Sequence, residues 1–123
     1  MAKTRSAERA EFLNGIVNTA AEGGVQSWAF TRNYKKTDRG DGIERYSIEV
    51  QEMEGDLRGD PWELIDEDVV STGLNRWLKD PDARADDKRR LREASKENDA
   101  GNIDAIDASN IVEYGLFGEI VYS

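Results

Sequence analysis

The stretch that decides the fold is Gln26-Ser-Trp-Ala-Phe-Thr-Arg-Asn-Tyr34-Lys-Lys-Thr-Asp-Arg-Gly-Asp-Gly42-Ile-Glu-Arg-Tyr46-Ser-Ile-Glu-Val-Gln-Glu52. Trp28, Phe30 and Tyr34 share one parity, and Tyr46, Ile48 and Val50 share another, as residues on one face of a strand do. Each run therefore predicts a half-buried strand, Gln26–Tyr34 and Ile43–Glu52. Between them lies Lys35–Gly42, polar and holding Asp38, Gly40, Asp41 and Gly42, which makes an antiparallel hairpin with a long turn the simplest connection. A further turn-rich piece, Glu54–Pro61, leads to Trp62-Glu-Leu-Ile65, a short candidate for a third strand.

Helical patterns lie on both sides of this hairpin. Upstream, Phe12, Leu13, Ile16, Val17 and Ala20 form one stripe of a helix over Ser6–Glu22, which Gly23-Gly24 is expected to stop in the left-handed conformation open to glycine. Downstream, Asp66 reads as an N-cap with Glu67 and Asp68 in the first turn, and Val69, Val70, Gly73, Leu74, Trp77 and Leu78 follow as an apolar face. Asp80-Pro81 ends that helix and is expected to start another, Pro81 to about Glu97, with Asp86 and Arg90 as an i, i+4 pair. After a turn at Asn98–Asn102, Ala105, Ala108, Ile111, Val112, Gly115 and Leu116 form a last helical face. Gly118 interrupts it and leaves Glu119–Tyr122 as a frayed turn or a short strand. The predicted class is a single α+β domain over residues 1–123, a short antiparallel sheet of two to four strands packed against about four helices.

Composition limits the chemistry. The 123 residues hold 17 Lys and Arg against 26 Asp and Glu, a net charge of −9, with no His and no Cys. Imidazole and thiolate catalysis, disulfides and soft-ligand metal sites are thereby excluded. Three Trp, four Tyr and three Phe argue against a disordered acidic chain. No apolar run reaches the roughly 18 residues of a membrane span, and the opening residues lack the apolar core of a signal peptide, so the expected location is a cytoplasm and no membrane contact is expected.

The charge is uneven. Residues 1–40 and 69–96 each carry a net +3, whereas 41–68 carry −9 and 97–123 carry −6. An acidic surface assembled from the last two would repel nucleic acid and steer a basic partner inward. Glu49, Glu52, Glu54, Asp56, Asp60 and Glu63 are the candidate partner-binding residues on this reading, and direct nucleic-acid binding is not expected. Paired carboxylates are the only acid/base groups present, and nothing predicts the unlike environments that a catalytic pair needs, so no catalytic residue, cofactor or metal is assigned. Asp80-x-Asp82 and Asp99-x-Gly101 fail the calcium-loop pattern and read as caps and turns. Arg39-Gly-Asp41 and Arg58-Gly-Asp60 read as turns, and Lys88–Arg92 as a solvated helix face.

Two stretches carry a resemblance. Thr19-Ala-Ala-Glu-Gly-Gly24 leading into Trp28-Ala29, and Asp107-Ala108, Ile111-Val112 and Leu116-Phe-Gly-Glu-Ile-Val-Tyr122, together resemble motifs of an uncharacterised family of small proteins from tailed phages of actinobacteria. Ser27, Ser109 and Ser123 depart from the residues common there. The resemblance implies a phage origin and action in the bacterial host cytoplasm, and it brings no catalytic or binding residue with it. The expected function is that of a non-enzymatic phage accessory protein. It would bind a host protein through an acidic surface, as an anti-defence inhibitor or a mimic of nucleic-acid charge. Two alternatives stand beside it: a protein sequestering a nucleotide or other small molecule, with Trp28, Tyr34 or Trp62 stacking a base, and a minor virion component. The apolar C-terminal segment Leu116–Tyr122 either packs across the sheet or offers an edge for a homodimer.

Overall fold

A computed structural model of the chain describes residues 5–38, 40–54 and 61–122. Within these described residues, four α-helices and a three-stranded antiparallel sheet make a small α+β domain. Helix α1 (Ala7–Thr19) starts where the Ser6 hydroxyl accepts the Arg9 amide. It buries Phe12, Leu13, Ile16 and Val17, as the stripe predicts. Gly23-Gly24 does not stop it in a left-handed turn. The chain instead continues through one π-helical turn, Ala20–Gly24, and neither glycine has positive φ. Gly24 is required for another reason: a Cβ there would lie 2.8 Å from the Ala105 carbonyl oxygen.

The sheet runs β1 (Ala29–Thr37), β2 (Arg45–Glu52) and β3 (Glu63–Ile65) in that spatial order. Its register pairs Ala29 with Glu52 and Arg32 with Glu49, then Lys35 with Ser47, so β1 holds one extra residue between Arg32 and Lys35. Asn33, with φ 53°, supplies the backbone that such a bulge requires, because asparagine tolerates the left-handed region. Ile48 pairs with Ile65 and both are buried, so the helices cover this face of the sheet. Trp28 is buried as well, but it precedes β1 in a turn, and all of β1 except Ala29 is exposed. The half-buried strand expected over Gln26–Tyr34 is thus a turn that buries Trp28 but leaves Gln26 and Ser27 exposed, followed by an exposed outer strand.

Helix α2 (Glu67–Lys79) begins on Asp66, whose carboxylate accepts the amides of Asp68 and Val69. It crosses α4 (Ala105–Phe117) closely enough that only glycine fits at the contact. A Cβ on Gly73 would sit 1.8 Å from the Ile111 carbonyl oxygen, and one on Gly115 would sit 2.4 Å from that of Val69. Asp80-Pro81 ends α2 but starts no helix, since Asp80 caps a turn through the Asp82 amide and α3 runs from Ala85 to Lys96. Arg90 pairs not with Asp86 but with Asp107 of α4, with Nη2 to Oδ1 at 2.9 Å, and also approaches Asp87 at 3.6 Å. Asp107 is nearly buried and completes a capping box with Asp104, so one carboxylate both starts α4 and docks α3 on it. Gly118, at φ 80°, ends α4, and Glu119–Tyr122 forms neither a continued helix nor a strand.

Candidate functional site

Two groups of residues stand out. The first is internal. Glu113 of α4 is 0% exposed, and its carboxylate accepts the Ser109 hydroxyl at 3.4 Å and the backbone amides of Val121 and Tyr122. The Ser109 hydroxyl in turn accepts Trp28 Nε1–H at 2.9 Å. The Tyr122 ring stacks on Trp28 at 5.0 Å, Phe117 meets Trp28 edge-on at 5.7 Å, and the Tyr122 hydroxyl donates to Glu52. That bond, together with burial, pushes the Tyr122 hydroxyl up to about 12. Residues from the two motif stretches meet here, Trp28 from the first and Phe117, Val121 and Tyr122 from the second. Every polar group named is turned toward another, so the cluster fastens the C-terminal segment to the core. Leu116, Phe117, Ile120 and Tyr122 all pack partly buried against that core, and Val121 remains exposed.

The second group is the side of the sheet facing away from the helices. Phe30, Arg32, Lys35, Ser47, Glu49, Gln51 and Leu64 share it by strand parity and register, and Gln51, opposite Phe30, is buried. Phe30 is 44% and Leu64 51% exposed. The Arg32 guanidinium lies 4.1 Å from the centroid of the half-buried Trp62 ring and 3.4 Å from the Glu49 carboxylate. Asn33, in the bulge, also donates to Glu49, and this bond holds the Glu49 carboxyl below its ordinary range. β1 also carries Tyr34, half exposed on the other side, where its hydroxyl donates to Asn18 of α1 and its ring meets Tyr46 at 5.9 Å.

The sequence-predicted acidic residues do not share one face. Glu49 belongs to the open side, paired as described. Glu52 and Glu63 have the parity of the buried Ile48 and Val50, at the end of the sheet where β2 closes and β3 begins. Glu54 follows β2 and is exposed, whereas Asp56 and Asp60 lie outside the described residues, as does Arg58-Gly-Asp60. Much of the acidity of 41–68 is met by bases from the first half of the chain. Arg5 holds Glu67 and Asp68, Arg45 holds Asp41 and Glu67, and Lys36 holds Glu44. Of the aromatic residues considered for base stacking, Trp28 is enclosed by Phe117 and Tyr122, Tyr34 lies against Tyr46, and one face of Trp62 is taken by Arg32.

Elsewhere many polar groups are occupied in building the fold, although among the described residues the buried Asn110 Oδ1 has no hydrogen-bond partner. A cleft of about 490 Å³ is lined by Arg76, Lys79, Asp80 and Tyr114 among others. There Arg76 donates to the Tyr114 and Gly115 carbonyls, and the Tyr114 hydroxyl donates to Asp80 at 2.7 Å. In the basic run of α3, Lys88 donates to the Asp80 carbonyl, Arg90 to Asp107 and Arg92 to the Leu78 carbonyl. Among the described residues, no group of three or more acidic side chains is arranged to hold a metal ion, and no helix is long and apolar enough to cross a membrane. Sequence reasoning missed Asn14, buried on α1, whose amide oxygen accepts the Tyr46 amide at 2.8 Å and ties α1 to β2. It also missed Ser109 and Glu113, polar residues on a helix whose apolar spacing drew the attention. Compared with protein-family models, curated proteins and solved structures, the chain matches none.

Proposed function

We propose that this chain is a non-enzymatic accessory protein, of the phage setting its two motifs imply, that works by binding a host protein through the open side of its sheet. The observation carrying this reading is the pairing of Phe30 and Leu64, both half exposed, with the Arg32–Trp62 stack on a sheet face that none of the described helices covers. Large apolar side chains beside a stacked arginine and a tryptophan make the kind of patch in which binding energy concentrates at protein interfaces. Acids beside this face set the approach of a partner by charge: Glu49 lies on it, and Glu54 is exposed where β2 ends.

The test is quantitative capture from an actinobacterial lysate by immobilised protein, by the Phe30→Glu/Leu64→Glu pair and by a remote control, Glu97→Gln. The expected result is a host protein retained by the parent and the control and reduced at least tenfold with the pair. Identical captured sets for all three would overturn the reading.

A further inference from the structure

The strand bordering the open face presents an edge that no strand among the described residues pairs with. In the order β1-β2-β3, β1 is outermost, nine residues long with eight exposed, while the opposite edge, β3, has only three residues. An edge strand exposes a row of backbone N–H and C=O groups able to pair with an incoming strand. The charge of this edge is unlike that of the chain as a whole. Ala29–Thr37 contains Arg32, Lys35 and Lys36 and not one carboxylate, in a protein of net charge −9. Arg32 and Lys36 pair backward onto Glu49 of β2 and Glu44 just before it. Lys35, exposed on the open side opposite Ser47, enters no ion pair with the described residues.

We propose that the free edge of β1 takes an extended acidic segment of the partner as a fourth strand of the sheet. Backbone hydrogen bonds supply affinity in such strand addition, and side chains next to the edge supply selectivity. Here the selectivity is for carboxylates beside Arg32 and Lys35, with an apolar residue beside Phe30. The same features work against the commonest wrong partner, a second copy of this chain. Two β1 edges laid against each other offer Lys35 no carboxylate, and like charges directly opposite across a strand pair are destabilising. The bulge at Asn33 also divides the edge into two short pieces, Ala29–Arg32 and Lys35–Thr37, which a long flat strand cannot follow without a matching irregularity. The edge is thus closed to self-pairing and open to an acidic segment of about four residues on either side of the bulge.

This inference rests on the protein-binding reading above, and its test separates the two. Two synthetic eight-residue peptides, one alternating Glu with Val and one alternating Lys with Val, are added at millimolar concentration to the full chain. Amide hydrogen exchange and backbone chemical shifts are then followed. The expected result is at least tenfold slower exchange of β1 amides with the Glu peptide and no change with the Lys peptide. Lys35→Glu, at an exposed position, should weaken the Glu peptide at least tenfold and leave the remaining spectrum unchanged. The proposal is overturned if neither peptide protects β1, if both do so equally, or if β1 amides become protected by raising protein concentration alone. Should the peptides fail while the Phe30→Glu/Leu64→Glu pair still loses its captured protein, strand addition falls and binding through the open face stands. Failure of both removes both.

Discussion

The crossing of α2 on α4 and the outer strand β1 use apolar sequence in opposite ways. At the crossing, Val70, Leu74, Trp77, Ile111 and Val112 are buried and two glycines bring the helix backbones together. Along β1, Phe30 and Tyr34 are nearly half exposed, although the Tyr34 hydroxyl still reaches Asn18 of α1 and its ring meets Tyr46. The first arrangement has no room for an added methyl group. The second leaves Phe30, with Leu64 on β3, outside the buried core. Stability and recognition are therefore held in separate parts of the molecule, and substitutions in the two should separate them.

The largest effect is expected at the crossing. A methyl group on Gly73 would overlap the Ile111 carbonyl oxygen, a backbone atom that cannot turn aside, so α2 and α4 would have to move apart. Gly73→Ala should cost about 3 kcal/mol, the upper end for overpacking. Gly23, with nothing within 4 Å of a built Cβ and no positive φ, is the matched control, and Gly23→Ala should be neutral or stabilising by about 0.5 kcal/mol. Urea unfolding followed by tryptophan fluorescence reads both. Equal effects at the two glycines would mean that the crossing is not the close contact described.

The next effect joins the two regions. Glu113 lies on α4 but holds the C-terminal segment over Trp28, immediately before β1. Glu113→Ala removes the acceptor from the Val121 and Tyr122 amides and from Ser109. A buried group that loses its partner costs about 1–3 kcal/mol, and about 2 kcal/mol is expected here because Val121 can reach water. Hydrogen exchange should show those two amides released and the α2–α4 amides unaffected beyond the global loss. Unaltered protection at Val121 and Tyr122 would show that the segment is held by the Trp28–Tyr122 stack alone.

The helical stripes and the hairpin were legible because each depends on a local period. Phe12 to Val17, the Asp66 cap and the Ile48–Val50 parity all appear in the structure as the sequence indicates. What was not legible depends on partners distant in the chain. The parity of Trp28, Phe30 and Tyr34 assumes an uninterrupted strand, whereas the turn before Ala29 and the bulge at Asn33 place the three rings in three environments. Arg90 has an acid at i−4, but the carboxylate it takes is 17 residues ahead. Gly73 and Gly115 fit their apolar faces by spacing, yet the reason for glycine is a neighbouring backbone. The acidic set suffered most: a charge count along the chain is blind to parity, and parity sends Glu49 to one side of the sheet and Glu52 and Glu63 to the other.

The smallest effect on stability is expected on the open face, and it is the most informative. Phe30→Thr with Leu64→Thr keeps β-forming side chains while removing the exposed apolar surface. Neither residue belongs to the buried core, so the double variant should unfold within about 0.5 kcal/mol of the parent. The Arg32–Trp62 stack should persist, visible as an unchanged Trp62 indole resonance. A loss of more than about 1 kcal/mol would mean that Phe30 and Leu64 complete a second small core under the sheet, and the face would then belong to the fold rather than to a partner. A stable, unaltered variant makes the opposite point: two large apolar side chains are kept in water at no benefit to folding, and their use has to be sought in what they touch.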